Sequence, residues 1–260
     1  MADVRPLILI PSYNTGTILL ETVQSALSLK TPVWLIFDGS TDGSPDSVKD
    51  LVSEENPQFR VIQLPANVGK GAALLHGLRE AIHSGFTHVL TLDADGQHPV
   101  RQVPEYFRIS AHHPEAAVLG RPVFDDSAPA LRVNGRKLSN FWAQLETLGW
   151  GVDDSLFGMR LYPANELLAV MESTRYARRF DFEPEVAVRL AWRGVPIINL
   201  PTAVRYPRKE DGGVSQFRYL RDNTLLTWMH LRLLGGFLLR LPLLIARGRN
   251  PLDHLSPPTQ

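Results

Sequence analysis

The chain has 260 residues, enough for one large α/β domain or two small ones, and 44% are hydrophobic, so a sizeable core can be buried. Its 27 basic and 27 acidic side chains give a formal net charge of zero, which removes any global pull toward nucleic acid and leaves recognition to a local site. Cysteine is absent, which excludes disulfides, thiol nucleophiles and Cys–zinc sites.

The first apolar run, at 7–10, is too short for the core of an export signal and is broken by Pro11-Ser12-Tyr13-Asn14, so no export signal is expected. That run and those at 33–37, 59–64 and 88–92 have the length and branching of buried parallel strands. Amphipathic stretches at 18–27, 45–52 and 71–82 predict the intervening helices. A further helix, from Pro99 through Tyr106 and Phe107, precedes an apolar run at 116–119. Such alternation predicts a doubly wound sheet, whose ligands sit at the carboxyl ends of the strands. The polar motifs at 11–16, 38–43, 67–71 and 93–98 all follow strands.

The second half predicts a loop at 121–129, helices at 131–148 and 184–192, and a strand at 195–200. Residues 225–246 are dominated by Leu, Trp, Met, Phe and Ile, with His230, Arg232 and Arg240 as the ionisable side chains. Two arginines at mid-span would cost a membrane-crossing helix about 2.5–3.5 kcal/mol each. Pro242 and Gly235-Gly236 weaken such a helix further. A basic apolar helix lying in the bilayer interface is therefore expected, with packing on the domain or in a homodimer as the alternative.

The chemistry centres on Leu92-Asp93-Ala94-Asp95-Gly96-Gln97-His98. In extended backbone, residues two apart point the same way, so Asp93 and Asp95 can converge on one hard cation, Mg²⁺ or Mn²⁺. Gln97 can add a carbonyl oxygen. On its own the motif is equally well read as a turn in which Asp bonds its own backbone. An aspartyl-phosphate phosphatase or nucleotidyltransferase using the same acidic cluster is the second enzymatic reading.

Four motifs occur in order: Pro11-Ser12-Tyr13-Asn14, Phe37-Asp38-Gly39-Ser40-Thr41-Asp42-Gly43, Asn67-Val68-Gly69-Lys70-Gly71 and Asp93–Gln97. Together they resemble the family 2 glycosyltransferases of GT-A fold, particularly the polyprenol-phosphate, dolichol-phosphate-mannose-synthase-like branch. The resemblance continues more loosely through Gly120-Arg121, Asp154, Gly158-Met159-Arg160 and Phe182-Glu183-Pro184-Glu185. It implies a Rossmann-like, mostly parallel sheet flanked by helices over residues 1–220, with a nucleotide-sugar half at about 1–120 and an acceptor half at about 121–220. Residues 221–260 would then form a C-terminal apolar, basic helical appendage.

The same resemblance implies an inverting, metal-dependent transfer from a nucleotide-sugar donor to a membrane-lipid acceptor, peripherally on the cytoplasmic face of a membrane. The implied donor-binding residues are Pro11, Tyr13, Asn14, Asp38, Asn67, Lys70, Asp93 and Asp95, with Asp93, Asp95 and Gln97 on the metal. Asp38 would meet the base or ribose, Lys70 the diphosphate, and the glycines flanking Lys70 would let backbone approach the ligand. Arg121, Arg132, Arg136 and Ser139 would hold the acceptor phosphate. A lipid phosphate is already ionised and needs no base; a hydroxyl acceptor would need one, for which Glu185 matches best and Asp154 and Glu183 are reserves. Glu183 is read first as a paired structural carboxylate. Gly212-Gly213-Val214-Ser215 would be a loop closing over the donor. Two positions depart from the family pattern, Thr15 where Glu is common and Phe37 where Asp is common. They leave the base open and are the support for a third reading, a non-catalytic membrane adaptor.

Overall fold

The computed structural model describes residues 3–54, 56–124, 130–204 and 219–257, with side chains from 135 onward in the helix at 130 and from 221 onward in the helix at 219. Arg132 and the 212–215 loop therefore lie outside the described side chains and residues. Seven strands form one sheet in the order β3-β2-β1-β4-β6-β5-β7. They are β1 (Pro6–Ser12), β2 (Val33–Asp38), β3 (Phe59–Leu64), β4 (His88–Thr91), β5 (Ala117–Val123), β6 (Arg160–Pro163) and β7 (Ile197–Ala203). All neighbours run parallel except β6, which is antiparallel to both β4 and β5. Thus the mostly parallel, helix-flanked sheet is present.

Period-two alternation sorts the strand residues between two buried layers. Leu7, Leu9, Trp34 and Ile36 face the layer that holds α3 (Lys70–His83), α6 (Ala164–Glu172) and α7 (Phe182–Arg193). Ile8, Ile10, Leu35 and Phe37 face the layer of α1 (Ile18–Leu27) and α4 (Val103–His112). Both faces are covered, which is why these strands read as continuous apolar runs.

Several elements differ from expectation. The helix predicted at 45–52 is a single turn, α2 (Ser44–Ser47), followed by a 3₁₀ turn at Lys49–Leu51. Only Val48 in this stretch buries a large apolar side chain fully, too little to stabilise a longer helix. Neither β6 nor α6 is legible as a pattern, because a four-residue strand shows too few alternations. α7 starts two residues before Pro184, which is tolerated in a first turn where its missing N–H has no partner to lose.

α5 (Ala130–Thr147) and α8 (Tyr219–Arg247) pack on each other, and both contact α7. Met229 and Leu233 of α8 belong to the same buried cluster as Leu7 and Leu9. Three arginines of α8 lie over aromatic rings of the domain, while Arg221 and Arg240 also remain exposed to solvent. Arg232 stacks 3.4 Å from the Tyr176 ring, Arg240 4.7 Å from Trp192 and Arg247 3.4 Å from Trp150.

Candidate active site

β1 sits between β2 and β4, so the chain winds away from it in both directions. The loops after these three strands meet at their carboxyl ends, the ligand position of an open α/β sheet. Asn14 sews two of them together. Its Oδ1 accepts the backbone N–H groups of Thr41 (2.8 Å) and Asp42 (3.3 Å), while Asp42 accepts the N–H of Gly16 at 2.9 Å. Pro11 is a buried strand residue, whereas the Tyr13 ring is 36% exposed beside this junction.

Asp38 is 2% exposed, and its two oxygens accept the N–H groups of Val68 (2.7 Å) and Gly69 (2.9 Å). These bonds brace the third loop against the second. The glycines around Lys70 are likewise explained within the chain. A Cβ on Gly69 or Gly71 would strike the backbone of Arg178 or Ala177, and the Ala72 N–H bonds the Arg178 carbonyl at 3.1 Å. They make room for the backbone of Ala177 and Arg178. Asn67 is exposed, with Arg179 3.4 Å from its Oδ1.

Asp93 and Asp95 follow β4 as expected. Asp93 receives Lys70 Nζ at 2.5 Å, and Lys70 also pairs with Glu183 at the start of α7. Burial alone would lower the Lys70 pKa, but the charges of Asp93 and Glu183 outweigh it and hold the ammonium above its ordinary range. Burial works against ionised Asp93 too, yet Lys70, His98 and the fully buried Arg160 keep its pKa below the usual carboxylate value. Gly158 is required here, since a Cβ would lie 2.5 Å from Asp93 Oδ2.

His98 Nδ1 accepts the Asp93 N–H at 3.1 Å and its ring meets Phe157 edge-on at 4.7 Å. Burial lowers its pKa to about 4, so the imidazole is neutral near pH 7 with its proton on Nε2, on the side of Asp93 Oδ2. Asp95 differs from Asp93. Among the described residues it has no ion-pair partner, and its oxygen accepts only the Gln97 N–H at 3.1 Å. Burial first, and the Asp93 charge second, push its pKa up to about 7. Gln97 lies beside it, half-buried.

This donor set suits a hard divalent cation: two carboxylates two residues apart, one of them uncompensated, with an amide oxygen nearby. Among the described residues no three His, Asp or Glu side chains form a complete cage. The remaining ligands would have to come from a substrate, as diphosphate oxygens do.

On the acceptor side, Arg136 pairs with Asp154 at 2.6 Å, and Arg121 meets Asp153 at 2.9 Å. Ser139 is buried and bonds Ser155 (3.0 Å) and His230 (3.1 Å); His230 in turn meets Glu146 at 3.0 Å. The expected catalytic bases have other work. Glu185 is fully buried between Arg189 and Arg232, each at 2.9 Å. Asp154 is 3% exposed and also accepts the N–H groups of Leu156 and Phe157. Each is thus engaged in ion pairs or hydrogen bonds within the fold. Arg160, which clamps the carbonyls of Glu183 (2.7 Å) and Asp154 (3.1 Å), was not singled out as a site residue. Its partners lie in other elements, so no local signal marks it. Thr15 and Phe37 are both buried, Thr15 against the Ser12 hydroxyl at 2.8 Å.

The model of glycosyl transferase family 2 matches residues 7–164, more than half of the chain and all of the geometry around β1, β2 and β4. The chain belongs to glycosyl transferase family 2. This glycosyltransferase groups with the polyprenol-phosphate branch of the family. It is 25% identical over 212 residues to the undecaprenyl-phosphate mannosyltransferase of Micrococcus luteus, covering 76% of this chain and 82% of that one. It is 24% identical over 210 residues to the polyprenol monophosphomannose synthase of Mycolicibacterium smegmatis, covering 77% and 78%. Among solved structures, the glucosyl-3-phosphoglycerate synthase of Mycobacterium tuberculosis, in complex with Mn²⁺, UDP and phosphoglyceric acid, superposes with a TM-score of 0.66. That match covers 91% of this chain and 79% of the other at 18% identity, and establishes the shared GT-A fold.

Proposed function

We propose that this glycosyltransferase moves a sugar from a nucleotide-sugar donor to a polyprenyl phosphate, with inversion, using a divalent cation. The observation that carries the reading is the asymmetric carboxylate pair at the end of β4. Asp93 is already paired with Lys70, whereas Asp95 is half-buried with no ion-pair partner among the described residues. Asp93 and Asp95, with Gln97, would hold Mg²⁺ or Mn²⁺, which when bound neutralises charge on the departing diphosphate. Lys70 sits at the amino end of α3, where it can turn from Asp93 toward a diphosphate oxygen. Tyr13, exposed at the mouth of the loops, is the side chain open to a base.

An ionised acceptor is supported by the acidic residues themselves. Glu185, Asp154 and Glu183 are all held in ion pairs, so none is spare for deprotonating a hydroxyl. A phosphate oxygen attacks the anomeric carbon as the bond from that carbon to the diphosphate oxygen breaks on the opposite face. The names of the Micrococcus and Mycolicibacterium relatives support the same acceptor class. Arg121 and Arg136 belong to the acceptor half, and each would exchange an aspartate for the phosphate. Peripheral contact through 225–246 would bring the site to the cytoplasmic face of the membrane that holds the lipid.

The test uses purified full-length chain, a panel of nucleotide sugars, and either polyprenyl phosphate or the corresponding free alcohol. Transfer is expected to the phosphate alone and to require Mn²⁺ or Mg²⁺. Asp95→Asn should cut transfer at least about 100-fold and remove the metal-dependent rise in melting temperature given by the donor. Undiminished transfer by that variant would sink the metal role.

A further inference from the structure

The apolar side chains that α8 leaves outside the fold are large and numerous. Trp228, Leu231, Leu238, Leu239, Leu243 and Ile245 are 53–84% exposed. Only 28% of the most apolar 18-residue stretch of this helix is buried. α5 adds a second stripe, Leu138, Phe141 and Leu145, at spacings of three and four residues, and the exposed Leu148 follows its last turn. Leu138 and Leu231 line opposite walls of the same groove between the helices, which makes the two stripes one surface.

Among the described residues charge is sparse on that surface, with Arg221 exposed at the amino end of α8. Arg232, Arg240 and Arg247 all turn back onto aromatic rings of the domain, and Arg232 is further tied to Glu185. His230 is turned inward onto Ser139 and Glu146. Lys137 borders the α5 stripe, where a flexible stem can lift its ammonium to water. A contiguous face of this size exceeds what a soluble monomer ordinarily exposes. Protein partners are usually met by a mixture of aromatic, Arg and hydrogen-bonding groups that sets one register. A face dominated by leucines, on which Thr224 and Thr227 are the exposed hydroxyls of α8, instead matches a fluid, uncharged medium.

We infer that α5 and α8 together form a charge-poor, leucine-rich docking face that enters the hydrocarbon edge of a bilayer by hydrophobic insertion, without needing anionic lipid. This deepens the membrane-lipid reading of the acceptor and rests on it. Within the docking face, Arg232, Arg240 and Arg247 also fasten α8 to the fold through their aromatic partners.

The experiment is vesicle flotation of the full-length chain on phosphatidylcholine, with and without phosphatidylglycerol, at low and high salt. The bound fraction should vary by less than about twofold across these conditions. The double variant Leu239→Ser, Leu243→Ser should lower partitioning at least about tenfold, as two buried leucines would predict. Phe141→Ser should lower it severalfold if α5 shares the face. All three positions are exposed, so unchanged thermal midpoints verify that the variants fold. Binding that requires phosphatidylglycerol and disappears in high salt would overturn the inference. So would full binding by Phe141→Ser, or a dimer in solution that ignores vesicles and is dissociated by the leucine variant. Transfer to a water-soluble short-chain prenyl phosphate separates the two readings. Intact transfer without flotation overturns the docking face alone, and flotation without transfer overturns the acceptor assignment alone.

Discussion

Glu185 shows how burial decides what a carboxylate can do. By sequence it is the best match to a catalytic acid, yet it is fully buried between Arg189 and Arg232. Removing one partner of a buried ion pair leaves the others uncompensated and costs about 3–5 kcal/mol. Glu185→Gln is therefore expected to lose that much in denaturant unfolding, while the fraction that remains folded still transfers sugar. A stable variant whose turnover falls by more than about 100-fold would instead restore Glu185 as a base. Asp93 and Asp95 illustrate the reverse. Their place after a strand was legible because a two-residue spacing in extended chain aims both side chains alike. Their inequality was not, because Lys70 reaches Asp93 from another element.

At the scale of elements, β4 is tied at its start through His88. Its Nε2–H donates to the Pro114 carbonyl at 2.8 Å and Nδ1 accepts the Thr87 hydroxyl at 2.9 Å, so both ring positions are filled by the neutral form. Burial lowers the His88 pKa below its ordinary 6.5, against the smaller opposing effect of the Pro114 bond. The unfolded chain then takes up a proton near pH 6.5 that the folded chain refuses. Stability from this group is complete above that pH and is lost progressively as pH falls below it. His88→Gln, which keeps a donor but cannot titrate, should flatten the decline in unfolding free energy between neutral and mildly acidic pH. An unaltered pH dependence would remove His88 from the account. The first five strands were readable as apolar runs because both sheet faces are covered. β6 was not, since its four residues derive their strand identity from lying between β4 and β5.

For the whole molecule, α8 is a structural member as well as a candidate membrane contact. Met229, Leu233, Phe237 and Leu244 are at most 6% exposed, and each such side chain contributes about 1.5–3 kcal/mol. The sum is comparable to the entire stability of an ordinary domain. A chain ending at residue 220 is therefore expected to aggregate or to melt well below the full chain in calorimetry. A soluble, cooperatively folded 1–220 fragment would show that α8 is dispensable to the fold.

The sequence by itself determined the parallel layering, the order of the four motifs and the position of the acidic pair after its strand. Each depends on spacing along one short segment, and backbone geometry translates such spacing directly into direction. Only the tertiary structure decided which charges are spent. Asp38 on two backbone amides, Glu185 on Arg232, and Arg232, Arg240 and Arg247 on aromatic rings all find partners tens of residues away. A buried charge is assigned its task by whatever the fold brings within a few ångströms, and that proximity has no counterpart in local sequence.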